Sequence, residues 1–338
     1  MKAMVLDEFG GKLELREVEE PVVNQGEVKL EVEACGICGT DLKILSGKHP
    51  NCPQIKFPFI PGHEVCGHIV EIGDGVKGWN IGDRAVVSIY MGCLECESCR
   101  RGTEQLCESD DLKIVGFNRN GGYAEKIVVR ARNLIRISDS IPAEQAAIVT
   151  DAMSASYRSA FEIAKVEAHE SALVVGYGGL GVHLAQLLKV AGLHVTVCDI
   201  NPSKLTIAPE FGFDNVISGS HLDVPDDLKF DVIFDVTGTI TDYDPLLKHI
   251  KRRGRFVMTG YNVVKPSSFM SSLCHINEVQ MLGIRGGSYN NLKKVMEMVE
   301  KGQVRPIVGK TRPLAEANEL LAELKEGFDT PGRMVLIP

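Results

Sequence analysis

Three glycines constrain this chain more than any other feature. Gly176, Gly178 and Gly181 fit G-x-G-x-x-G between a short apolar run, residues 172–175, and a helix-like stretch, residues 182–191. A second apolar run, residues 195–198, follows and ends on Asp199. Strand, glycine turn, helix, strand and acid in that order are what a dinucleotide site requires. The first glycine permits the tight turn, the second lets backbone approach a pyrophosphate, and the third lets helix pack on strand. The helix start adds free N–H groups and a positive dipole end. Gly176, Gly178, Gly179, Leu180 and Gly181 are therefore expected to cradle phosphates, with Asp199 accepting from the ribose hydroxyls. A 2′-phosphate would meet a like charge at Asp199, so NAD is favoured over NADP. Residues 200–203 offer no arginine to such a phosphate, although Lys204 stands near. An ordinary glycine turn with Asp199 as a helix cap is the alternative.

Strand patterns continue at residues 216–217, 231–236, 255–259 and 279–284, with helix-like stretches between them, for example 242–252. Alternation of this kind predicts a parallel sheet covered on both faces, an α/β doubly wound unit. Leu292, Val295, Met296 and Val299 then form one face of a final amphipathic helix. The first 150 or so residues differ. They carry short apolar runs at 28–32, 69–72, 84–88 and 127–129, punctuated by Gly73, Gly75, Gly78 and Gly82. That predicts a β-rich barrel or sandwich.

The net charge is −8 with 24% charged residues, and no Lys/Arg block occurs. Nucleic acid and membrane surfaces are therefore poor partners, and a small molecule is expected. The N-terminus lacks a secretory pattern and no stretch reads as a membrane span, so a cytoplasmic location is expected.

Ten cysteines are present, four of them at Cys93, Cys96, Cys99 and Cys107. Their spacing in a lobe without an apolar core predicts a closed, structural zinc site rather than disulfides. Cys35-x-x-Cys38 leaves two readings open, a redox pair or part of a metal site. Cys38 and His63, the latter in Gly62-His63-Glu64, are natural zinc ligands. The other histidines are read as packed or surface residues.

The chain resembles the zinc-containing medium-chain alcohol and polyol dehydrogenases. The resemblance rests on Gly36-Ile37-Cys38-Gly39-Thr40-Asp41, Gly62-His63-Glu64, the four cysteines, Gly121-Gly122-Tyr123-Ala124-Glu125, the glycine fingerprint and Gly332-Arg333-Met334-Val335. It implies a GroES-like catalytic domain over residues 1–152 and 290–338, carrying both zincs, and a Rossmann domain over 153–289. It implies two zincs per chain and NAD. The catalytic zinc would be held by Cys38, His63 and Asp151, with Glu64 either a ligand or a supporting carboxylate. Thr40 would start a proton relay. Lys43 stands where many relatives have histidine, leaving it to contact cofactor phosphate or to titrate low. Arg333 matches an arginine near the pyrophosphate; a surface cation is the alternative.

The implied reaction is hydride transfer between a secondary alcohol or polyol and NAD. Two variants stay open: an enzyme of the L-threonine 3-dehydrogenase kind, suggested by residues 116–119 with Arg119 as a carboxylate contact, and a carbonyl reductase working mainly in reverse. Lys48 and His49 are read as pocket-lining or solvent-facing. The resemblance also implies a homodimer or homotetramer.

Overall fold

A computed structural model describes residues 1–338. Two sheets form its frame, and each follows from its own hydrophobic pattern. The first is mostly antiparallel and built around Glu27–Ile37, whose inward positions Val28, Leu30, Cys35 and Ile37 are fully buried or nearly so. Its strands run Val308–Pro313, Arg333–Ile337, Glu27–Ile37, Glu64–Ile72, Arg84–Val87 and Leu134–Arg136, with Lys126–Arg130 also paired to Glu27–Ile37. The register matters for the site. Met334 opposes Ile37, which brings Arg333 beside Cys38, and Gly36 opposes Glu64. The chain's last strand thus lies between Val308–Pro313 and Glu27–Ile37, the latter far from it in sequence.

The second sheet is parallel throughout. Its strands lie in the order Asn215–Ser218, His194–Asp199, Ser171–Val175, Phe230–Asp235, Ile250–Met258 and Gln280–Gly283. Counted along the chain that is 3-2-1-4-5-6, the dinucleotide-binding order, with its switch point beside the first strand. Central strands such as Ser171–Val175 read as continuous apolar runs because both faces are covered. Helix Gly181–Val190 buries Val182, Leu184, Ala185 and Leu188 against them.

Between the sheets runs a helical segment, residues 143–163, in which Val149–Met153 and Ser159–Ile163 are π-wound. The predicted amphipathic helix is Tyr289–Glu300, capped by Ser288 and Asn291, with Leu292, Val295 and Met296 buried. The helix expected over 242–252 is shorter. Only Asp244–Leu247 is helical, and Ile250 already pairs with Phe230 in the sheet. Pro245 fixes the first turn, and with Leu246, Leu247 and Ile250 all buried the segment spends its apolar residues before a longer helical face can form.

Candidate active site

Helix Gly39–Leu45 leaves the end of Glu27–Ile37, and Cys38 is its N-cap. The Cys38 sulfur accepts from the Thr40 N–H at 3.4 Å, while Asp41 Oδ2 accepts from the Cys38 N–H at 2.9 Å. This reciprocal cap fixes where the thiolate points. His63 and Glu64 enter from the next strand, and Asp151 from the π-wound turn of the helical segment. π-turns put an extra residue into a helix and often occur at functional sites.

These elements bring Cys38, His63, Glu64 and Asp151 together with one ligand atom of each within 4.8 Å of the others. Cys38 Sγ lies 3.5 Å and His63 Nε2 3.7 Å from Asp151 Oδ2. The other ring nitrogen, His63 Nδ1, faces Asp41 Oδ1 at 3.2 Å, and Asp41 Oδ2 accepts from the Tyr123 hydroxyl at 3.0 Å. Glu64 Oε2 is buried without a hydrogen-bond partner. A buried cluster of one thiol, one imidazole and two carboxylates, one oxygen of it orphaned, suits a divalent cation of zinc's borderline softness. Burial pushes the Glu64 carboxyl up, to about 7, against the pull of Arg333. Burial also raises Asp151, but its bonding to His63 and the charges of His63 and Arg333 outweigh this and hold it well below the usual range.

Arg333 is buried and central. Its guanidinium donates to Glu64 Oε1 at 2.9 and 2.6 Å, to Asp151 Oδ2 at 2.9 Å and to the Cys38 sulfur at 3.2 Å. A Cβ on Gly179 would press on the same side chain. The residue therefore bridges the glycine loop and the acid cluster, which excludes a surface cation.

The glycine loop divides its labour as the pattern predicts. Gly176 has φ +97°, a conformation that side chains resist. A Cβ on Gly178 would meet nothing within 4 Å, so its backbone faces open space. A Cβ on Gly181 would strike the Gly176 carbonyl. Asp199 ends its strand and accepts from the Tyr177 N–H at 2.6 Å and the Asn201 N–H at 2.8 Å. Asn201, not Asp199, caps the following turn. The cleft over the loop, about 460 Å³, is lined by Gly176, Gly178–Gly181, Asp199, Lys204, Thr40, Lys43 and Arg333. Open backbone at Gly178, an acid at the second strand's end and cations around the rim fit a dinucleotide.

A second cavity, about 360 Å³, adjoins the cleft, and Cys38, Thr40, Leu180, Thr259 and Tyr261 line both. Its floor includes His63 and Asp151. Lys43 donates to the Tyr261 carbonyl at 2.8 Å and lies 3.4 Å over that ring, and burial lowers its pKa. His49 lines this cavity and Lys48 does not. Arg119 is elsewhere: it pairs with Glu27 at 2.8 Å and the Val128 carbonyl at 2.9 Å. Cys35 is fully buried, and burial pushes its thiol well above the ordinary value, an inert thiol rather than a reactive one.

In the cysteine lobe, Sγ atoms lie 3.9 Å apart for Cys93 and Cys99 and 3.8 Å apart for Cys96 and Cys107. A tetrahedron with Zn–S bonds of about 2.3 Å has edges of about 3.8 Å. Backbone N–H groups of Glu95 and Cys96 point at the Cys93 sulfur. These bonds lower its pKa to about 6 and favour the thiolate that a metal needs.

Fold and sites define an NAD-linked, zinc-dependent oxidoreductase. Comparison with known proteins makes the class specific. Residues 24–139 match the alcohol dehydrogenase GroES-like domain and residues 179–301 the zinc-binding dehydrogenase domain. An alcohol dehydrogenase of Geobacillus stearothermophilus is 34% identical over 344 residues, covering 99% of this chain and 98% of the relative. An NAD-dependent alcohol dehydrogenase of Sulfurisphaera tokodaii is 32% identical with both chains covered in full. The acetophenone reductase of Geotrichum candidum, solved with NAD, superposes with a TM-score of 0.91 at 30% identity, covering 100% of this chain and 97% of that one. The chain belongs to the zinc-containing medium-chain dehydrogenase/reductase family.

Proposed function

We propose that the chain interconverts a secondary alcohol and its ketone, with Cys38, His63 and Asp151 holding the catalytic zinc and Glu64 beside them. The observation carrying this is the convergence of those ligand atoms at the floor of one cavity that opens onto the glycine-loop cleft. Zinc supplies Lewis acidity that eases loss of the alcohol proton, and NAD accepts the hydride. The chain's own residues do the rest. Asp41 stands against His63 Nδ1 at 3.2 Å, which leaves Nε2 for the metal. Thr40, lining both cavity and cleft, offers the first hydroxyl for the departing proton. Lys43, whose pKa burial lowers, stands on the cleft side, where its neutral amine would take the proton and release it outward. Gly176–Gly181 and Asp199 seat the dinucleotide, and Lys204 and Arg333 line the same cleft.

The proposed division is a catalytic unit over residues 1–152 and 290–338 and a cofactor unit over 153–289. A homo-oligomer fits the open edge strand Gln280–Gly283, near which Val264, Phe269, Met270 and Ile276 are exposed. No helix is long and apolar enough to cross a membrane. Ten free cysteines fit a cytoplasmic location. With Arg119 engaged by Glu27, nothing local supports the amino-alcohol variant.

The test is zinc analysis coupled to NAD⁺ reduction on a panel of secondary, cyclic and polyhydric alcohols. We expect two zincs per chain and turnover, with Asp151→Ala keeping one zinc and losing turnover. Normal turnover by that variant would remove Asp151 from the ligand set.

A further inference from the structure

The second cavity carries an unpaired positive charge. Arg285 lines it, and the guanidinium forms no ion pair within the chain; its polar neighbour is Tyr90, whose hydroxyl it bonds and whose ring centroid lies 5.9 Å away. The outer groove on its far side includes Glu108 and Asp110, yet Arg285 pairs with neither. Within the cavity the sole carboxylate is Asp151, which the proposed metal engages. The remaining polar lining is rich in donors. His49 Nδ1 accepts from the Asn51 N–H at 3.1 Å, so the neutral ring carries its proton on Nε2. The Asn51 amide and the Tyr90 hydroxyl line the same space. Burial pushes His49 down to about 4, and the nearby cations Lys43 and Arg285 act in the same direction, so among the lining residues it is Arg285 that carries the positive charge.

From this we infer that Arg285 selects a substrate bearing a carboxylate, a short hydroxy acid oxidised to its oxo acid. The inference rests on the dehydrogenase reading above and narrows its substrate class. A planar guanidinium meets a carboxylate with two parallel bonds. The cavity, about 360 Å³, would also receive the nicotinamide ring, leaving room for a short chain. No carboxylate remains to receive an ammonium group, so hydroxy acids are preferred over amino alcohols such as threonine. The reaction balances within the established chemistry. The C–H electron pair leaves as hydride to NAD⁺, the hydroxyl proton goes to solvent, and the carboxylate is unchanged.

The experiment uses 2-, 3- and 4-hydroxybutyrate, their methyl esters and L-threonine, with zinc-loaded enzyme. NAD⁺ reduction gives kcat/KM, and calorimetry without NAD gives Kd for the same compounds. We expect the best acid to exceed its ester and L-threonine tenfold or more in both readouts. Arg285→Leu should lower the acid-to-ester ratio about tenfold to a hundredfold, and Arg285→Lys should restore part of it. Arg285 is on the surface side of the cavity, and an unchanged melting temperature confirms that each variant is folded. An acid-to-ester ratio near one, or one that Arg285→Leu leaves alone, overturns the inference. Tighter binding of the acid that depends on Arg285, without NAD⁺ reduction on any alcohol, upholds the anion site and fails the dehydrogenase reading instead.

Discussion

Asp41 stands against the histidine proposed as a metal ligand. It faces His63 Nδ1 at 3.2 Å, is itself wholly buried, and is held by the Tyr123 hydroxyl and the Cys38 N–H. Removing such a supporting carboxylate lowers metal affinity about 10–100-fold in comparable sites. Asp41→Ala should therefore weaken zinc at the catalytic site by that factor and leave the cysteine-lobe zinc in place, as competition with a chelating dye would show. Asp41→Asn, which keeps an oxygen toward the ring, should lose less. The Cys38–Asp41 spacing is that of a helix cap, so Asp41 was open to a sequence reading that stopped at Thr40. Cys38, His63 and the four clustered cysteines were legible because ligand type and spacing are local. Arg285 and Tyr261 were not, since only the crossing of two distant segments puts them at one cavity. Arg333 was placed by resemblance near phosphate; that it also grips Glu64 and Asp151 follows from strand register, which no motif records.

At the scale of elements, the two glycine contexts separate cleanly. In the loop, Gly181 packs on the Gly176 carbonyl while Gly178 faces empty space. Gly181→Ala should destabilise the fold by about 1–3 kcal/mol, the range for overpacking. Gly178→Ala should leave the unfolding midpoint within about 0.5–1 kcal/mol of wild type, the ordinary helix-flank glycine range, yet raise the Kd for NADH severalfold. Denaturant titration and NADH fluorescence read the two effects, and equal loss of stability in both variants would contradict the division. The sheet gives a matching case. A Cβ on Gly36 would collide with the Glu64 carboxylate across the strand pair. Gly36→Ala should cost the catalytic zinc as well as about 1–3 kcal/mol. The parallel strands were legible from their apolar runs to within a few residues. The helical segment 143–163 was not, because its polar residues Thr150, Ser154, Ser156 and Ser159 are all buried and blur the helical pattern. The expected helix over 242–252 failed for the converse reason, a short apolar cluster that serves a single turn and then a strand.

Across the whole molecule, His183 couples the cofactor loop to the returning chain. Its Nδ1–H donates to the Gly179 carbonyl at 2.6 Å, and its Nε2 accepts from the Ile307 N–H at 2.8 Å. The bond from Ile307 requires the neutral ring, since a protonated Nε2 cannot accept. No motif signals this tie, since a histidine two residues into a helix reads as packing and Ile307 lies 124 residues away. Burial holds its pKa down, at about 4 from an ordinary 6.5, and the charge of Arg333 acts the same way. The sign follows directly. Above pH 6.5 neither folded nor unfolded chain is protonated here, and the group adds no pH dependence. As pH falls from 6.5 to 4 the unfolded chain takes the proton and the folded chain does not, so stability drops. At about 1.36 kcal/mol per pH unit over that window, the loss approaches 3 kcal/mol and ends once the folded form also protonates. Denaturant unfolding of wild type and His183→Gln between pH 7 and 4.5 isolates the term, because any metal lost in acid is lost from both. The wild-type excess in stability should shrink by about 2–3 kcal/mol across that range. A constant difference would mean that His183 titrates alike in both states, and that the tie between glycine loop and catalytic unit does not depend on its neutral ring.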